Sequence, residues 1–142
     1  MLVGNKHYQS IWIDQSDPSA VMVIDQKRLP FFFEIKELRS VDDIFNAISD
    51  MTVRGAPLIG AAGAFGIYLS ALETGPATNI RLHFENAARY LKSSRPTAVN
   101  LAWAIDYVIN RMGNNTSRQT LQALSLSAAL EICAKEKENG RK

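Results

Sequence analysis

Residues 56–72 read APLIGAAGAFGIYLSAL, the longest apolar-rich stretch of the chain. A proline at the first position of a helix costs no hydrogen bond, because the N–H that it lacks would have no intrahelical partner there. The pattern therefore predicts a helix that begins at Pro57 and ends near Glu73, before the breaker residues 74–76. Its composition is typical of a buried helix, and the stretch is too short and too rich in glycine for a membrane span.

Aromatic and β-branched residues, which favour strands, dominate the chain before this helix. Clusters of turn-forming residues at 14–19 and 25–30 divide that part into three segments. A small sheet of three strands with one apolar face needs a second layer to pack against. The predicted strands are 8–13, 20–24 and 31–36.

Helical spacing of apolar residues dominates the rest of the chain. Ser40 begins the first of these helices as an N-cap, with the acidic Asp43 three residues later. The pattern predicts an α+β fold, in which a small three-stranded antiparallel sheet is followed by a bundle of about five helices. We expect one domain with a β-rich part at 1–37 and a helical part at 38–142. The further helices are predicted at 41–51, 79–92, 96–112 and 117–139.

Composition limits the classes of function. A chain of 142 residues that is 46% hydrophobic and 21% charged has the size and balance of one globular domain. Its net charge of +2, without a basic tract, gives no support for nucleic-acid binding. The first residues do not resemble a secretory signal. The single cysteine, Cys133, excludes an internal disulfide, fits a reducing cytosol and is predicted to be buried in a helix.

Arg54 and Gly55 stand immediately before the helix that begins at Pro57. The first-turn amides of a helix lack intrahelical partners, and the helix dipole makes that end positive. A guanidinium beside a residue without a side chain makes this place suitable for a phosphate or a carboxylate. Within the helix, glycines recur at 60, 63 and 66, and each weakens it by about 1 kcal/mol relative to alanine. We predict that these glycines allow another backbone to approach closely.

A second arginine, Arg95, precedes Pro96 and Thr97 in a similar arrangement. Proline holds the residue before it in an extended conformation, and Thr97 is a candidate cap for a helix that starts at Pro96. Asn100, one turn into that helix, is placed to face a ligand. If the two helix starts converge, Arg54 and Arg95 bracket one anion. The plainer alternative is that both arginines cap helices or pair with surface carboxylates, and the sequence leaves both interpretations open.

Other polar and aromatic residues give weaker signals. His7 and His83 lack metal-ligand neighbours at a useful spacing, which favours surface roles. Trp12 and Trp103 are interpreted as core or interface residues. Asp106 is a candidate partner for an arginine.

Three segments carry motifs in a fixed order: residues 24–30 read IDQKRLP, residues 51–60 read MTVRGAPLIG and residues 94–106 read SRPTAVNLAWAID. They resemble the LDQxxLP turn, the MTVRGAPAIG signature and the RPTAVNL segment of the methylthioribose-1-phosphate isomerases. The resemblance covers essentially the whole chain. It implies an aldose–ketose isomerase that converts methylthioribose-1-phosphate to methylthioribulose-1-phosphate in methionine salvage, with no metal and no organic cofactor.

The resemblance implies substrate-binding roles for Arg54, Gly55, Ala56 and Arg95. Members of the family are more than twice this length, and their proposed catalytic cysteine and aspartate lie in a C-terminal Rossmann-like domain. Cys133 does not match that cysteine. We therefore expect a truncated, N-terminal portion of the enzyme that carries no catalytic residue and is inactive alone. The expected location is the cytoplasm, and the expected partners are a small-molecule sugar phosphate and either further copies of the chain or the missing C-terminal half, with no nucleic acid and no membrane.

A second family that shares this fold comprises the regulatory subunits of the nucleotide-exchange factor for eukaryotic initiation factor two and their archaeal relatives, which are binding and assembly proteins without catalysis. The RGAP and RPTAVN segments of this chain favour the isomerase, because in the isomerases they form the sugar-phosphate site. A third interpretation is a pure interaction domain, which would self-associate through its glycine strip and its exposed apolar helix faces.

Overall fold

The computed structural model describes residues 2–3, 6–7, 11–14, 16–24, 35–50, 56–73, 79–113 and 117–139. Within these residues, two small antiparallel sheets are followed by five helices, which confirms the predicted α+β fold with its three-stranded sheet. The strands are β1 Leu2–Val3, β2 Lys6–His7, β3 Ile11–Asp14, β4 Asp17–Ile24 and β5 Ile35–Leu38. The helices are α1 Val41–Ser49, α2 Ala56–Leu72, α3 Ile80–Lys92, α4 Val99–Met112 and α5 Arg118–Asn139.

The strands differ from the prediction at their ends. The pairing of β1 with β2 was not predicted, because strands of two residues are too short to show an alternating pattern. β4 begins at Asp17, inside the segment 14–19 that was predicted as a turn. The turn is shorter than predicted, because Asp14 of β3 already pairs with Asp17 of β4. β5 extends to Leu38, beyond both its predicted end and the expected β-rich part, while 31–34 lies outside the described residues.

β4 is the central strand of the three-stranded sheet, paired with β3 on one side and β5 on the other. Its side chains Val21 and Val23 are buried, as is Ile11 of β3, and this apolar face packs toward the helices. Cys133 of α5 is buried beneath the sheet, where its Sγ lies 3.7 Å from the carbonyl oxygen of Ile11. The predicted structural role of this cysteine is confirmed.

α2 is the central helix of the domain. All residues from 58 to 71 are buried, and α2 packs against each of the other four helices. The helix begins at Ala56, one residue before the predicted start. Tyr68 donates its hydroxyl hydrogen to the carbonyl oxygen of Pro18 at 2.8 Å, and desolvation raises the pKa of this phenol. No helix in the described ranges is long and apolar enough to cross a bilayer.

The start of α1 joins several parts of the fold. The Ser40 side chain accepts a hydrogen bond from the Asp43 amide at 3.1 Å, which is the N-cap that the sequence predicts. The carboxylate of Glu73, just after α2, accepts from the Val41 amide at 3.0 Å. α1 ends at Ser49, and Met51 of its predicted span lies outside the described residues.

The carboxylate of Asp17 connects β4 to the end of β5. It accepts hydrogen bonds from the hydroxyl of Ser19 at 2.6 Å and from the Ser19 amide at 3.0 Å, and Arg39 lies 2.7 Å away. The Ser19 hydroxyl first, and then Arg39, lower the pKa of Asp17 from 3.8 to about 2. Because folding lowers this pKa, the ionised carboxylate stabilises the folded state above about pH 4, and the contribution is lost as the pH falls toward 2.

We expect Ser19→Ala and Arg39→Gln each to raise the pKa of Asp17, because the Ser19 hydroxyl and the Arg39 guanidinium both lower it. Titration of the carboxyl carbon by NMR measures both shifts. Asp17→Asn serves as the control for stability. Its free energy of unfolding should differ from that of the parent at neutral pH, and the difference should vanish near pH 2. A larger shift from Arg39→Gln would show that the ion pair dominates.

Candidate functional site

The N-terminal half of α2 lies against the N-terminal half of α4. A Cβ atom built on Gly60 would be 3.1 Å from the carbonyl oxygen of Asn100, and one built on Gly63 would be 2.5 Å from Cδ1 of Leu101 and 3.2 Å from Cγ1 of Ile105. The glycine at 60 allows the backbone approach that the sequence predicts, since the first atom that its missing side chain would meet belongs to the backbone of α4.

The start of α4 therefore lies beside α2 about one turn after the start of α2. Asn100 is the second residue of α4, and Gly60 is one turn inside α2, so the first turns of both helices are neighbours. Each first turn presents amides without intrahelical partners, and both dipoles are positive at this side of the molecule. This arrangement is suited to a phosphate group.

The predicted site residues are not all described. Ala56 is the first residue of α2, and nothing is described of its side chain. Arg54 and Gly55 lie outside the described residues. The predicted bracketing of one anion by Arg54 and Arg95 therefore stays a prediction.

Arg95 lies in the connection between α3 and α4 and is half-buried. Its carbonyl oxygen accepts a hydrogen bond from the Ala98 amide at 2.9 Å, which closes a turn. Among the described residues, no carboxylate lies within ion-pair distance of its guanidinium. Pairing with a surface carboxylate, one of the plainer interpretations, has no support within that part of the chain.

α4 begins at Val99, three residues later than predicted. Ala98 is the N-cap and makes no side-chain capping hydrogen bond, so Thr97 is not the cap. The reason is the reversal of the chain after α3: the hydroxyls of Ser93 and Ser94 donate to carbonyl oxygens of the last turn of α3, both at 2.6 Å. The residues between the two helices are needed for this turn and cannot join α4.

Contacts between helices correct two other predictions, and the exposure of Trp103 narrows a third. His83 is not a free surface residue, because its Nε2 lies 2.7 Å from the carbonyl oxygen of Ser70 near the end of α2. Asp106 accepts a hydrogen bond from Lys92 at 2.7 Å and so pairs with a lysine, not an arginine. Trp103 is 53% exposed and stacks on Tyr107, which excludes a core role and leaves the interface interpretation.

Trp12 is half-buried, and the side chain of His7 is not described. Within the described residues, no group of three His, Cys, Asp or Glu side chains is arranged to hold a metal ion. Sequence reasoning missed the contact between α2 and α4. The spacing of Gly60 and Gly63 was its only local signal, because nothing in the sequence states which helix fills the space beside a glycine.

A family model described as the initiation factor 2 subunit family matches residues 52–142. The methylthioribose-1-phosphate isomerase of Desulfatibacillum aliphaticivorans is 39% identical over 141 residues, which are 99% of this chain and 38% of that protein. The methylthioribose-1-phosphate isomerase of Methylorubrum extorquens is 41% identical over 132 residues, which are 92% of this chain and 34% of that protein.

Two solved structures are similar to this fold. The translation initiation factor eIF-2B subunit delta from A. fulgidus has a TM-score of 0.79 and 38% identity, over 89% of this chain and 36% of that one. The 5-methylthioribose 1-phosphate isomerase from Pyrococcus horikoshii has a TM-score of 0.77 and 34% identity, over 89% of this chain and 36% of that one. The chain thus spans little more than a third of the length of these relatives.

Proposed function

The chain belongs to the initiation factor 2 subunit family, and on that premise we propose that it is the N-terminal portion of a methylthioribose-1-phosphate isomerase. The enzyme would convert methylthioribose-1-phosphate to methylthioribulose-1-phosphate in methionine salvage. The observation that carries the proposal is the close approach of α2 and α4 at Gly60 and Asn100, near the N-terminus of each helix. The names of the similar proteins over nearly the whole chain support the choice of sugar phosphate.

In this proposal the N-terminal side of the α2–α4 pair holds the phosphate group. Arg54 and Arg95 neutralise its charge, while Gly55 leaves room for it beside the first turn of α2, at Ala56. Because these hydrogen-bond donors are held in place before the substrate binds, they can stabilise the charge that develops in the reaction without first reorganising. The phosphate on the anomeric carbon prevents simple ring opening, so the site has to keep the phosphate bound while the ring opens.

The groups that move protons would come from the part of the longer relatives that this chain does not match. Cys133 does not supply one, because it is buried against the backbone of Ile11 in the core. We therefore expect the 142-residue chain to bind the sugar phosphate weakly and to lack isomerase activity. We further propose a cytoplasmic protein that acts as a homo-oligomer or together with the remaining part of the enzyme.

Calorimetric titration with methylthioribose-1-phosphate tests the binding half of the proposal. The parent chain should bind weakly, and Arg54→Ala and Arg95→Ala should each reduce the affinity about tenfold or more, because each removes a charge-assisted contact to the phosphate. Arg81→Ala is the matched control, since Arg81 is 87% exposed on α3 and forms its ion pair with Glu85.

An equal loss of affinity in all three variants would indicate a general effect of charge and contradict the site. Unchanged affinity in Arg54→Ala and Arg95→Ala would do so as well. A separate assay for isomerase activity tests the catalytic half: turnover by the rigorously purified parent chain would show that the catalytic groups lie within these 142 residues.

A regulatory subunit without catalysis is the second candidate, and the similarity to the eIF-2B subunit delta of A. fulgidus favours it. The two candidates differ in what the N-terminal side of α2 and α4 has to recognise. An isomerase requires the sugar phosphate there, whereas an assembly subunit does not. Light scattering, together with the calorimetry, separates them: stable self-association without any sugar-phosphate binding would favour the assembly subunit.

A further inference from the structure

The residue just before Arg95 is attached to the last turn of α3 by two hydrogen bonds. The Ser94 amide donates to the carbonyl oxygen of Leu91 at 3.1 Å, and the Ser94 hydroxyl donates to the same oxygen at 2.6 Å. A carbonyl oxygen has two lone pairs and can accept both bonds. Because Leu91 is fully buried, the peptide that leads into Arg95 is tied to a part of the fold that close packing holds in place.

The neighbouring Ser93 makes a similar hydrogen bond in a different setting. Its hydroxyl donates to the carbonyl oxygen of Tyr90, also at 2.6 Å, but this bond is exposed, whereas the bond of Ser94 is partly buried. Water replaces an exposed hydrogen bond more readily than a shielded one. The hydroxyl of Ser94 therefore restrains the connection between α3 and α4 more strongly than the hydroxyl of Ser93 does.

The chain is also held on the other side of Arg95. The Arg95 carbonyl oxygen accepts a hydrogen bond from the amide of Ala98 at 2.9 Å, and Ala98 is the N-cap of α4. Pro96 restricts the backbone of the residue before it. Arg95 is thus fixed toward α3 through Ser94 and toward α4 through Ala98.

We propose that Ser94 is a positioning residue for Arg95: its hydroxyl fixes the direction in which the arginine side chain leaves the backbone. This inference rests on the proposed function, in which Arg95 binds the phosphate group. A guanidinium binds phosphate most strongly in a bidentate geometry, which depends on its orientation. An arginine on a loosely held connection has to be ordered during binding, and that ordering weakens the affinity. Ser94 strengthens phosphate binding without contacting the ligand.

Calorimetric titration of the 142-residue chain with methylthioribose-1-phosphate tests this role. Ser94→Ala should weaken binding about three- to tenfold, and Ser94→Thr, which keeps a hydroxyl, should restore most of the parental affinity. Ser93→Ala is the matched control, because it removes a hydrogen bond of the same length from the neighbouring residue and should bind as the parent does. In the Arg95→Ala background, Ser94→Ala should cause no further loss, since no guanidinium is left to orient.

NMR relaxation of the free chain gives a readout that needs no ligand. The order parameters of the Arg95 amide and of its Nε–H group should fall in Ser94→Ala and stay unchanged in Ser93→Ala.

The outcomes separate this inference from the proposed function. If the parent binds and Ser94→Ala binds equally well, or if the Arg95 order parameters do not change, the positioning role is overturned while Arg95 keeps its place in the phosphate site. Equal losses from Ser94→Ala with and without Arg95 would indicate a general structural effect and overturn it too. Absence of binding by the parent contradicts the proposed function itself, and the positioning role is overturned with it.

Discussion

Replacing Phe65 by alanine is expected to lower the free energy of unfolding by about 3–5 kcal/mol. Phe65 is fully buried in the middle of α2, the helix that packs against all four of the others. The change removes the transfer free energy of the ring and leaves a cavity that close-packed neighbours fill only in part. Since a domain of this kind has a total stability of about 5–15 kcal/mol, the loss is a large fraction of it.

Urea denaturation followed by circular dichroism measures this effect. Phe45→Ala is the matched control, because Phe45 on α1 is only half-buried and stacks on Tyr90 with ring centroids 4.3 Å apart. We expect Phe45→Ala to lower the free energy of unfolding by about 1–2 kcal/mol, since this side chain buries less apolar area and its site is open to solvent. Equal losses in the two variants would contradict the central position of α2.

The sequence predicted the parts of the fold that local patterns specify. The apolar stretch 56–72 predicted a buried helix, and Ser40 with Asp43 predicted the start of α1; both depend on contacts within a few residues. The connection between α3 and α4 was predicted less well. Its proline suggested a helix start at Pro96, but the reversal of direction between two packed helices moves that start to Val99. Such a reversal depends on contacts between helices that no local pattern records.

The candidate site shows the same division. The sequence indicated Arg95 and the glycines of α2, since an arginine before a helix and glycines within one are locally unusual. It did not indicate that the first turns of α2 and α4 are neighbours, because the contacts between helices are set by packing across the domain. The pairing of Lys92 with Asp106 was missed for the same reason, as the two residues lie on different helices. The ligand itself was suggested by the motif resemblance and not by any spacing.

Replacing Gly60 by valine is expected to lower the free energy of unfolding by about 2–3 kcal/mol and to weaken methylthioribose-1-phosphate binding. Even the Cβ of alanine would lie 3.1 Å from the carbonyl oxygen of Asn100, a backbone atom that moves only with α4. Valine adds two methyl groups at this position and has to push the first turn of α4 away from α2. Separating the two N-termini disperses the amides and dipoles that the proposal assigns to the phosphate.

Gly66→Val is the control that separates the loss of stability from the loss of binding. A Cβ at Gly66 would lie 2.7 Å from Cδ1 of Leu91 and 3.2 Å from Cγ2 of Ile44, so the change overpacks α2 against α3 and α1. Denaturation should show a comparable destabilisation, whereas calorimetry on the folded variant should show nearly parental affinity, because the approach of α2 to α4 at Gly60 is untouched. If both valine variants lose affinity equally, general destabilisation explains the loss. If Gly60→Val binds as the parent does, the paired N-termini are not the phosphate site, and the assignment of Arg95 to the ligand loses its geometric support.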